Sequence, residues 1–219
     1  MYYIYIDEAG RGPLAWPVYV GLIIEQVKTH TTVRDSLDNF PARDISLYQN
    51  CKDSKILSEW QRNALYQTLV QNKKICYATA KISASDIDKH WIVWWLRQSI
   101  MRALHAHFVG GRFTIASLRS RIAREKYQIS LVIDWPSDFW LRKALGITVI
   151  PVIDWDDKIT MISAASILAK VERDKYMYRI SKKYPKYQFH LHKWYGTKLH
   201  YELIRDYGLC NEHRVSYIH

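Results

Sequence analysis

Carboxylic acids stand at the ends of several predicted strands of this chain. Asp7 and Glu8 end the strand predicted from YYIYID, and Asp134 ends the one predicted from ISLVID. Asp156 and Asp157 follow ITVIPVID, just before a long predicted helix. Functional sites of α/β sheets lie at strand ends. One such acid alone is more often a solvated turn residue, but four positions at strand ends favour a shared site. Clustered ionised carboxylates need a partner, and a pair of hard divalent cations fits best.

The segment that follows the first two acids is rich in glycine. Neighbouring residues of a strand point to opposite faces, so Asp7 and Glu8 serve one site only where the strand breaks. Gly10 and Gly12, on either side of Arg11, are expected to supply that break. With two bound metal ions, the acids would suit phosphodiester displacement, because the ions clamp the attacking and leaving oxygens.

The charge balance favours a polyanionic partner. The chain has 32 Lys and Arg against 21 Asp and Glu, a formal charge of +11 and a pI near 9.5. Aromatic residues are interleaved with the basic ones in KKYPKYQFHLHKWYGTKLHY. A solvated basic face is the plain interpretation, but rings among lysines also suit stacking on bases and sugars. Hydrophobic residues at 48% are typical of a globular protein, and no apolar run reaches the length of a membrane span. Three cysteines without ligand spacing, and no signal peptide, predict a cytoplasmic protein.

The order of predicted elements indicates an α/β fold. Five strands are predicted from YYIYID, VYVGLII, ICYATAKIS, ISLVID and ITVIPVID. Helices are predicted over LSEWQRNALYQTLVQN with Ser58 as cap, over residues 86–108, as a short basic helix within residues 112–128, from Thr160 to Tyr184 and over TKLHYELIRDYG. No repeat or linker divides the chain, so we expect one domain over residues 1–219.

Several longer motifs resemble those of ribonuclease HII, the type 2 ribonuclease H family. YIDEAGRGPLAWPV is similar to its opening DEAGRGPLAGPV, and KDSKILSE to its DSKKLSE segment. ISAASILAKVERDKYM, YPKYQFHLHKWYGTKLH and EHRVSY resemble three further family motifs, in the family's order. The resemblance implies a ribonuclease H-like fold: a mixed central sheet flanked by helices, with a basic helical C-terminal extension from about residue 185. The basic stretch 109–127 is longer than in the family and is expected to be a surface insertion.

The family's four catalytic and metal-binding acids correspond to Asp7, Glu8, Asp134 and Asp156. Asp156 is preferred to Asp157 because the family acid stands seven residues before the serine matched by Ser163. Asp174 lies well inside a predicted helix and is expected to form a structural ion pair. The resemblance implies two Mn²⁺ or Mg²⁺ ions at these acids.

The family's substrate-binding residues correspond to Gly10, Arg11, Gly12, Ser54, Lys55 and Tyr195. The glycine-arginine-glycine element recognises the 2′-hydroxyl of a ribonucleotide, and the tyrosine packs on the adjoining deoxyribose. Ser54 and Lys55 match polar positions near the substrate backbone, although a solvated loop accounts for them equally well. His190, His192 and His200 are expected to meet phosphates or pack against the sheet.

The implied activity is that of an endoribonuclease acting on RNA–DNA hybrids and on DNA duplexes that contain ribonucleotides. It would cut on the 5′ side of the ribonucleotide and leave 5′-phosphate products, with roles in ribonucleotide excision, DNA replication and repair. We expect a monomer. Two alternatives stay open: another metal-dependent nuclease or strand-transfer enzyme of this fold, and a catalytically impaired nucleic-acid-binding homologue.

Four tryptophans occupy positions where the family has glycine: Trp16, Trp135, Trp155 and Trp194. The chain has nine tryptophans and only eight glycines, roughly half the usual share of glycine. One cause would explain all four changes, namely a genetic code in which UGA encodes glycine but is translated here as tryptophan. The hypothesis is that some or all of the four are glycine in the cell, and Trp91, Trp94 and Trp95 are further candidates. The alternative is a divergent enzyme with genuine tryptophans.

Overall fold

A mixed five-stranded sheet forms the centre of the fold. The computed structural model describes residues 1–27, 48, 50–51, 56–112, 114–135, 141–152 and 160–218. The strands are β1 (Tyr2–Ala9), β2 (Val18–Gln26), β3 (Cys76–Ile82), β4 (Ile129–Asp134) and β5 (Thr148–Val152). Their order is β3-β2-β1-β4-β5, with β3, β2 and β1 antiparallel and β1, β4 and β5 parallel. All five predicted strands are therefore confirmed.

Eight α-helices are present in the described part of the chain. They are α1 (Glu59–Gln71), α2 (Ala84–Lys89), α3 (Ile92–Phe108), α4 (Ile115–Arg124), α5 (Leu141–Leu145), α6 (Thr160–Lys183), α7 (Phe189–His192) and α8 (Lys198–Tyr207). Short 3₁₀ helices cover Pro185–Tyr187 and Val215–Tyr217. The predicted cap of α1 is confirmed, because the Ser58 side chain accepts a hydrogen bond from the N–H of Gln61 in a capping box.

The single helix predicted over residues 86–108 is wrong. The structure has two helices there, because Ser83 caps α2 and the backbone turns extended at His90. A new helix, α3, then begins after Trp91. The apolar spacing runs on through this corner without a glycine or proline, so the pattern gave no sign of the break.

Helices cover both faces of the sheet. One face, which includes Ile4 and Ile6, packs against α3 and α4. The other, which includes Tyr3 and Tyr5, packs against α1 and α6. The predicted basic helix is α4, which buries Leu118 in the first of these cores. No helix in the described ranges is long and apolar enough to cross a membrane.

The C-terminal helices form a third core beside the sheet. Its buried members are Ala15, Trp16, Tyr187, Phe189, Trp194 and Leu203. The chain then returns to its beginning, where Ala15 and His213 form an antiparallel bridge. This return brings the last residues of the chain to the segment that follows β1.

Candidate active site

The register of β1 and β4 brings two of the predicted acids onto neighbouring strands. The strands are parallel, and Ile6 pairs with Ile133, so Asp7 and Asp134 occupy the next positions. Side chains alternate between the two faces of a strand, so Asp7 and Asp134 lie on the face that α6 covers, and Glu8 lies on the opposite face. β1 runs on to Ala9 and ends directly before Gly10, the first of the two glycines predicted to break the strand.

Glu8 is a buried acid whose pKa is raised. Burial raises its pKa to about 8, and repulsion from Asp7 and Asp134 adds to the rise, while Arg11 opposes it. The Glu8 Oε1 atom lies 2.9 Å from Nε of Arg11, and the Glu8 N–H donates to Oδ1 of Asp7 over 2.8 Å. The three carboxyl groups thus form one concentration of negative charge, which a divalent cation would relieve.

The fourth predicted acid, Asp156, lies outside the described residues. Within the described ranges, no group of three or more His, Cys, Asp or Glu side chains is arranged to hold a metal ion. The donor chemistry of Asp7, Glu8 and Asp134 nevertheless suits Mn²⁺ or Mg²⁺, since all three offer hard oxygen ligands.

The turn formed by residues 10–12 lies beside these acids. Gly10 has φ +95°, which favours glycine, and a Cβ there would lie 2.5 Å from Nε of Arg173. The guanidinium of Arg11 bonds Glu8 and stacks on Trp135, 3.9 Å from the ring centroid. Trp135 therefore lies beneath the arginine that neutralises Glu8.

Tyr195 lies on the other side of the same turn. A Cβ on Gly12 would be 3.5 Å from Cε1 of Tyr195, and the tyrosine is half exposed. A groove of about 690 Å³ adjoins it, with Lys170, Arg173 and Lys193 among its lining residues. The structure thus brings together the acids, the turn and the tyrosine, and it places positive charge next to them.

Ser54 and Lys55, the other two predicted substrate-binding residues, lie outside the described residues. Asp174 forms the expected ion pairs, with Arg62 at 3.9 Å and Arg173 at 3.7 Å. Burial raises the pKa of Asp174, and the neighbouring cations oppose that rise.

The expectation for the C-terminal histidines is wrong for two of them. His192 and His200 are buried in the third core, away from the sheet, and stack with ring centroids 4.2 Å apart. Nε2 of His200 lies 3.1 Å from Nε2 of His213, and its Nδ1 lies 2.9 Å from the carbonyl oxygen of Tyr195. These rings hold the backbone of the predicted junction-sensing tyrosine.

Two of the four anomalous tryptophans have a backbone that favours glycine. Trp16 has φ 103° and Trp194 has φ 73°, and both are buried. Their ring centroids lie 3.6 Å apart at 84°, and those of Phe189 and Trp194 lie 3.3 Å apart. Edge-to-face pairs prefer about 4.5–7 Å, so the cluster is overpacked. Trp135 does not share the positive φ, and Trp155 lies outside the described residues.

Sequence reasoning missed two arginines beside the turn. Arg173 packs against Gly10, and Arg214 donates to carbonyl groups of the turn. A local signal existed for Arg214, since it stands in the family-like EHRVSY motif, but its partners are some 200 residues away.

Comparison with known proteins agrees with this architecture. The family profile "Ribonuclease HII" matches residues 4–219. Ribonuclease HII of Caldicellulosiruptor bescii is 31% identical over 97% of this chain and 84% of its own length. That of Aliarcobacter butzleri is 34% identical over 97% and 88%.

Solved structures share the fold at lower identity. Ribonuclease H2 of Pyrococcus horikoshii has a TM-score of 0.67 and 23% identity, covering 100% of this chain and 94% of its own. Bst-RNase HIII in complex with Mn²⁺ has a TM-score of 0.57 and 13% identity, covering 100% and 67%. A mixed sheet with flanking helices and a helical C-terminal region is thus confirmed, and with the sequence matches it shows that the chain belongs to the ribonuclease HII family, whose members are nucleases.

Proposed function

We propose that this protein is an endoribonuclease that cuts on the 5′ side of ribonucleotides in RNA–DNA hybrids and in DNA duplexes, leaving 3′-hydroxyl and 5′-phosphate ends. One observation carries the proposal: the Gly10–Gly12 turn lies between the acids and Tyr195, through Arg11 on Glu8 and Gly12 beside the tyrosine ring. The turn would contact the 2′-hydroxyl of the ribonucleotide. The Tyr195 ring on one side of it would stack on a sugar, and the acids on the other side would lie at the phosphate that is cut.

Asp7, Glu8 and Asp134, with Asp156, would hold two Mn²⁺ or Mg²⁺ ions, which supply an activated water and stabilise the leaving oxygen. The raised pKa of Glu8 supports this assignment, because its main causes are burial and the neighbouring acids. The relative Bst-RNase HIII is known as a complex with Mn²⁺.

The remaining residues bind and orient the duplex. Tyr195 would pack on the deoxyribose next to the ribonucleotide, and the basic groove beside it would follow the sugar-phosphate backbone. Ser54 and Lys55 would contact the same backbone. The chain would act as a monomer in the cytoplasm.

A second candidate is a catalytically impaired nucleic-acid-binding homologue. The observation in its favour is the stack of Trp135 on Arg11, because this contact keeps the guanidinium on Glu8 and competes with a metal ion for the carboxylate. Binding of the duplex would then persist without cleavage.

A cleavage assay separates the two candidates. A labelled DNA duplex with a single ribonucleotide is incubated with the protein, with Mn²⁺ or with EDTA, beside an all-DNA duplex. Cutting 5′ to the ribonucleotide with Mn²⁺ alone is expected, and Asp134→Asn is the inactive control. Equal cutting of the all-DNA duplex, or undiminished cutting by the control, would refute the proposal, and binding without cutting would favour the impaired homologue.

A further inference from the structure

Arg214 is fully buried and hydrogen-bonds three carbonyl groups near the predicted ribonucleotide-reading turn. Its Nε donates to the carbonyl of Trp16 over 2.8 Å, its Nη1 to that of Arg11 over 2.6 Å and its Nη2 to that of Gly10 over 2.5 Å. Burial lowers the pKa of Arg214 to about 10, so the guanidinium stays charged at neutral pH. Charge-assisted hydrogen bonds of this kind are about twice as strong as neutral ones.

The backbone around Arg214 is fixed on both sides. Its own N–H donates to the carbonyl of Leu14, in the bridge between Ala15 and His213. The next two N–H groups, of Val215 and Ser216, donate to the carboxylate of Asp88 over 3.0 and 2.9 Å. The bond to Leu14 therefore anchors the Arg214 backbone independently of residues 10–12, and the Asp88 contacts order the segment that follows it.

The geometry of the peptide bond determines what these contacts do to the turn. In a trans peptide, the C=O and the following N–H point in opposite directions. When the carbonyls of Gly10 and Arg11 point toward Arg214, the N–H groups of Arg11 and Gly12 must point away from it. Neither N–H donates a hydrogen bond to another group in the described part of the chain.

We propose that Arg214 is a positioning residue that presents the N–H groups of Arg11 and Gly12 to the 2′-hydroxyl of the ribonucleotide. This inference rests on the proposed function, since it assigns to that function the device that orients its reading element. The guanidinium does not touch the substrate and acts only through the two peptide planes.

A lysine at this position would keep the charge but would lose the three-pronged geometry, because an ammonium is a point donor on a flexible stem. Arg214→Lys is therefore the informative variant. Asp88→Ala is the matched control, because it loosens the segment that follows Arg214 but keeps all three donors to the turn and the hydrogen bond from the Arg214 N–H to Leu14. Thermal unfolding establishes that each variant is folded.

The first measurement is hydrogen–deuterium exchange of a peptide covering residues 10–18, which requires no activity and reports on the hydrogen-bonded N–H groups of Leu14 and Trp16 that follow the turn. Arg214→Lys should speed exchange there by about tenfold, and Asp88→Ala should leave it unchanged. Should Arg214→Lys fail to fold, Arg214→Gln, whose neutral amide has two N–H donors on a shorter side chain, is measured instead. Exchange at the wild-type rate in the folded variant would overturn the proposal.

The second measurement is the ratio of dissociation constants for an all-DNA duplex and for the same duplex with one ribonucleotide, taken in EDTA. Arg214→Lys should reduce this preference by about tenfold by weakening only the ribonucleotide duplex, and Asp88→Ala should preserve it. If exchange is faster but the ratio of dissociation constants is unchanged, Arg214 holds the turn without contributing to recognition of the 2′-hydroxyl, which would overturn the proposal. A wild-type protein that binds both duplexes equally would count against the proposed function, while the exchange result would still decide whether Arg214 holds the turn.

Discussion

Replacing both Trp16 and Trp194 with glycine should stabilise this protein, which is the opposite of what removal of buried tryptophans normally does. Both residues have φ in the left-handed region, at 103° and 73°. A non-glycine residue held there is strained by roughly 1–3 kcal/mol. Glycine adopts this conformation at no steric cost.

Packing adds to the strain. The two indole centroids lie 3.6 Å apart, and that of Trp194 lies 3.3 Å from Phe189. Overpacking of a core costs about 1–3 kcal/mol. The buried Nε1 of Trp16 has no hydrogen-bond partner among the described residues, at a further cost of about 1–3 kcal/mol.

Replacement with glycine removes the strain, the overpacking and the unpartnered indole nitrogen, but it also removes buried apolar surface. A genuine core tryptophan is worth about 3–5 kcal/mol over a small residue. Loss of two such residues would cost about 6–10 kcal/mol in a core that evolved around them, about as much as the terms above would gain. If the cell places glycine at these positions, the surrounding residues evolved without the indoles and most of that cost does not arise, so relief of backbone strain should give the double variant about 2 kcal/mol more unfolding free energy. For a chain of this size, that is a rise in Tm of roughly 4–8 °C.

Thermal and urea unfolding of Trp16→Gly/Trp194→Gly test this expectation. Phe108→Gly is the matched control, because Phe108 is a buried aromatic residue of α3 that packs on the core and is not a candidate for recoding. The control should lose stability. A double variant that loses stability to the same degree, or UGG codons at positions 16 and 194 of the gene, would refute the reasoning. Cleavage of a single-ribonucleotide duplex should rise with the double variant.

Three further predictions concern the acids, the tyrosine and the histidines. Asp7→Asn or Asp134→Asn should abolish cleavage while duplex binding changes by less than about threefold, because basic residues supply the affinity; near-normal turnover of Asp134→Asn across a Mn²⁺ series would contradict the assignment. Tyr195→Ala should slow cleavage at a single embedded ribonucleotide by at least about tenfold more than cleavage of a long hybrid, since only the former requires the deoxyribose contact; equal losses would assign the ring to packing alone. Lowering the pH from 7 to 5 should cost the wild type about 1–2 kcal/mol more unfolding free energy than it costs His200→Asn, because burial lowers the pKa of His200 to about 4, below the unfolded value, and the unfolded wild-type chain then binds more protons, whereas the opposite effect of Glu8, whose pKa is raised, is common to both proteins. Urea unfolding at both pH values measures this, with exposed His190→Asn as a control that should keep the wild-type loss.

The sheet and part of the site were predictable because their determinants are local. Each strand is a short run of β-branched and aromatic residues, and a parallel pairing of β1 with β4 is enough to bring Asp7 and Asp134 together. The cap at Ser58 is equally local, since its partner Gln61 is three residues away.

What escaped prediction depends on contacts that are distant in sequence. The corner at His90 lets α2 contact both α3 and the 3₁₀ helix Val215–Tyr217, which is distant in sequence, and the periodic pattern passes through the corner unchanged. The burial of His192 and His200 follows from how α7 and α8 fold onto each other, whereas phosphate contact or packing against the sheet was the expectation from sequence. The hydrogen bonds of Arg214 join residues 198 to 204 positions apart.

The two predicted tasks of the site, metal binding and recognition of the ribonucleotide, depend on different parts of the chain. The acids stand on adjacent strands of the sheet, so their spacing is set by backbone hydrogen bonds of β1 and β4. The reading elements are held by the C-terminal region, where His200 approaches the carbonyl of Tyr195 and Arg214 holds those of the turn. Trp194 directly precedes Tyr195 and is overpacked against Trp16, so strain there acts first on the reading elements. The tryptophans at 16 and 194 should therefore impair recognition of the ribonucleotide more than the arrangement of the acids.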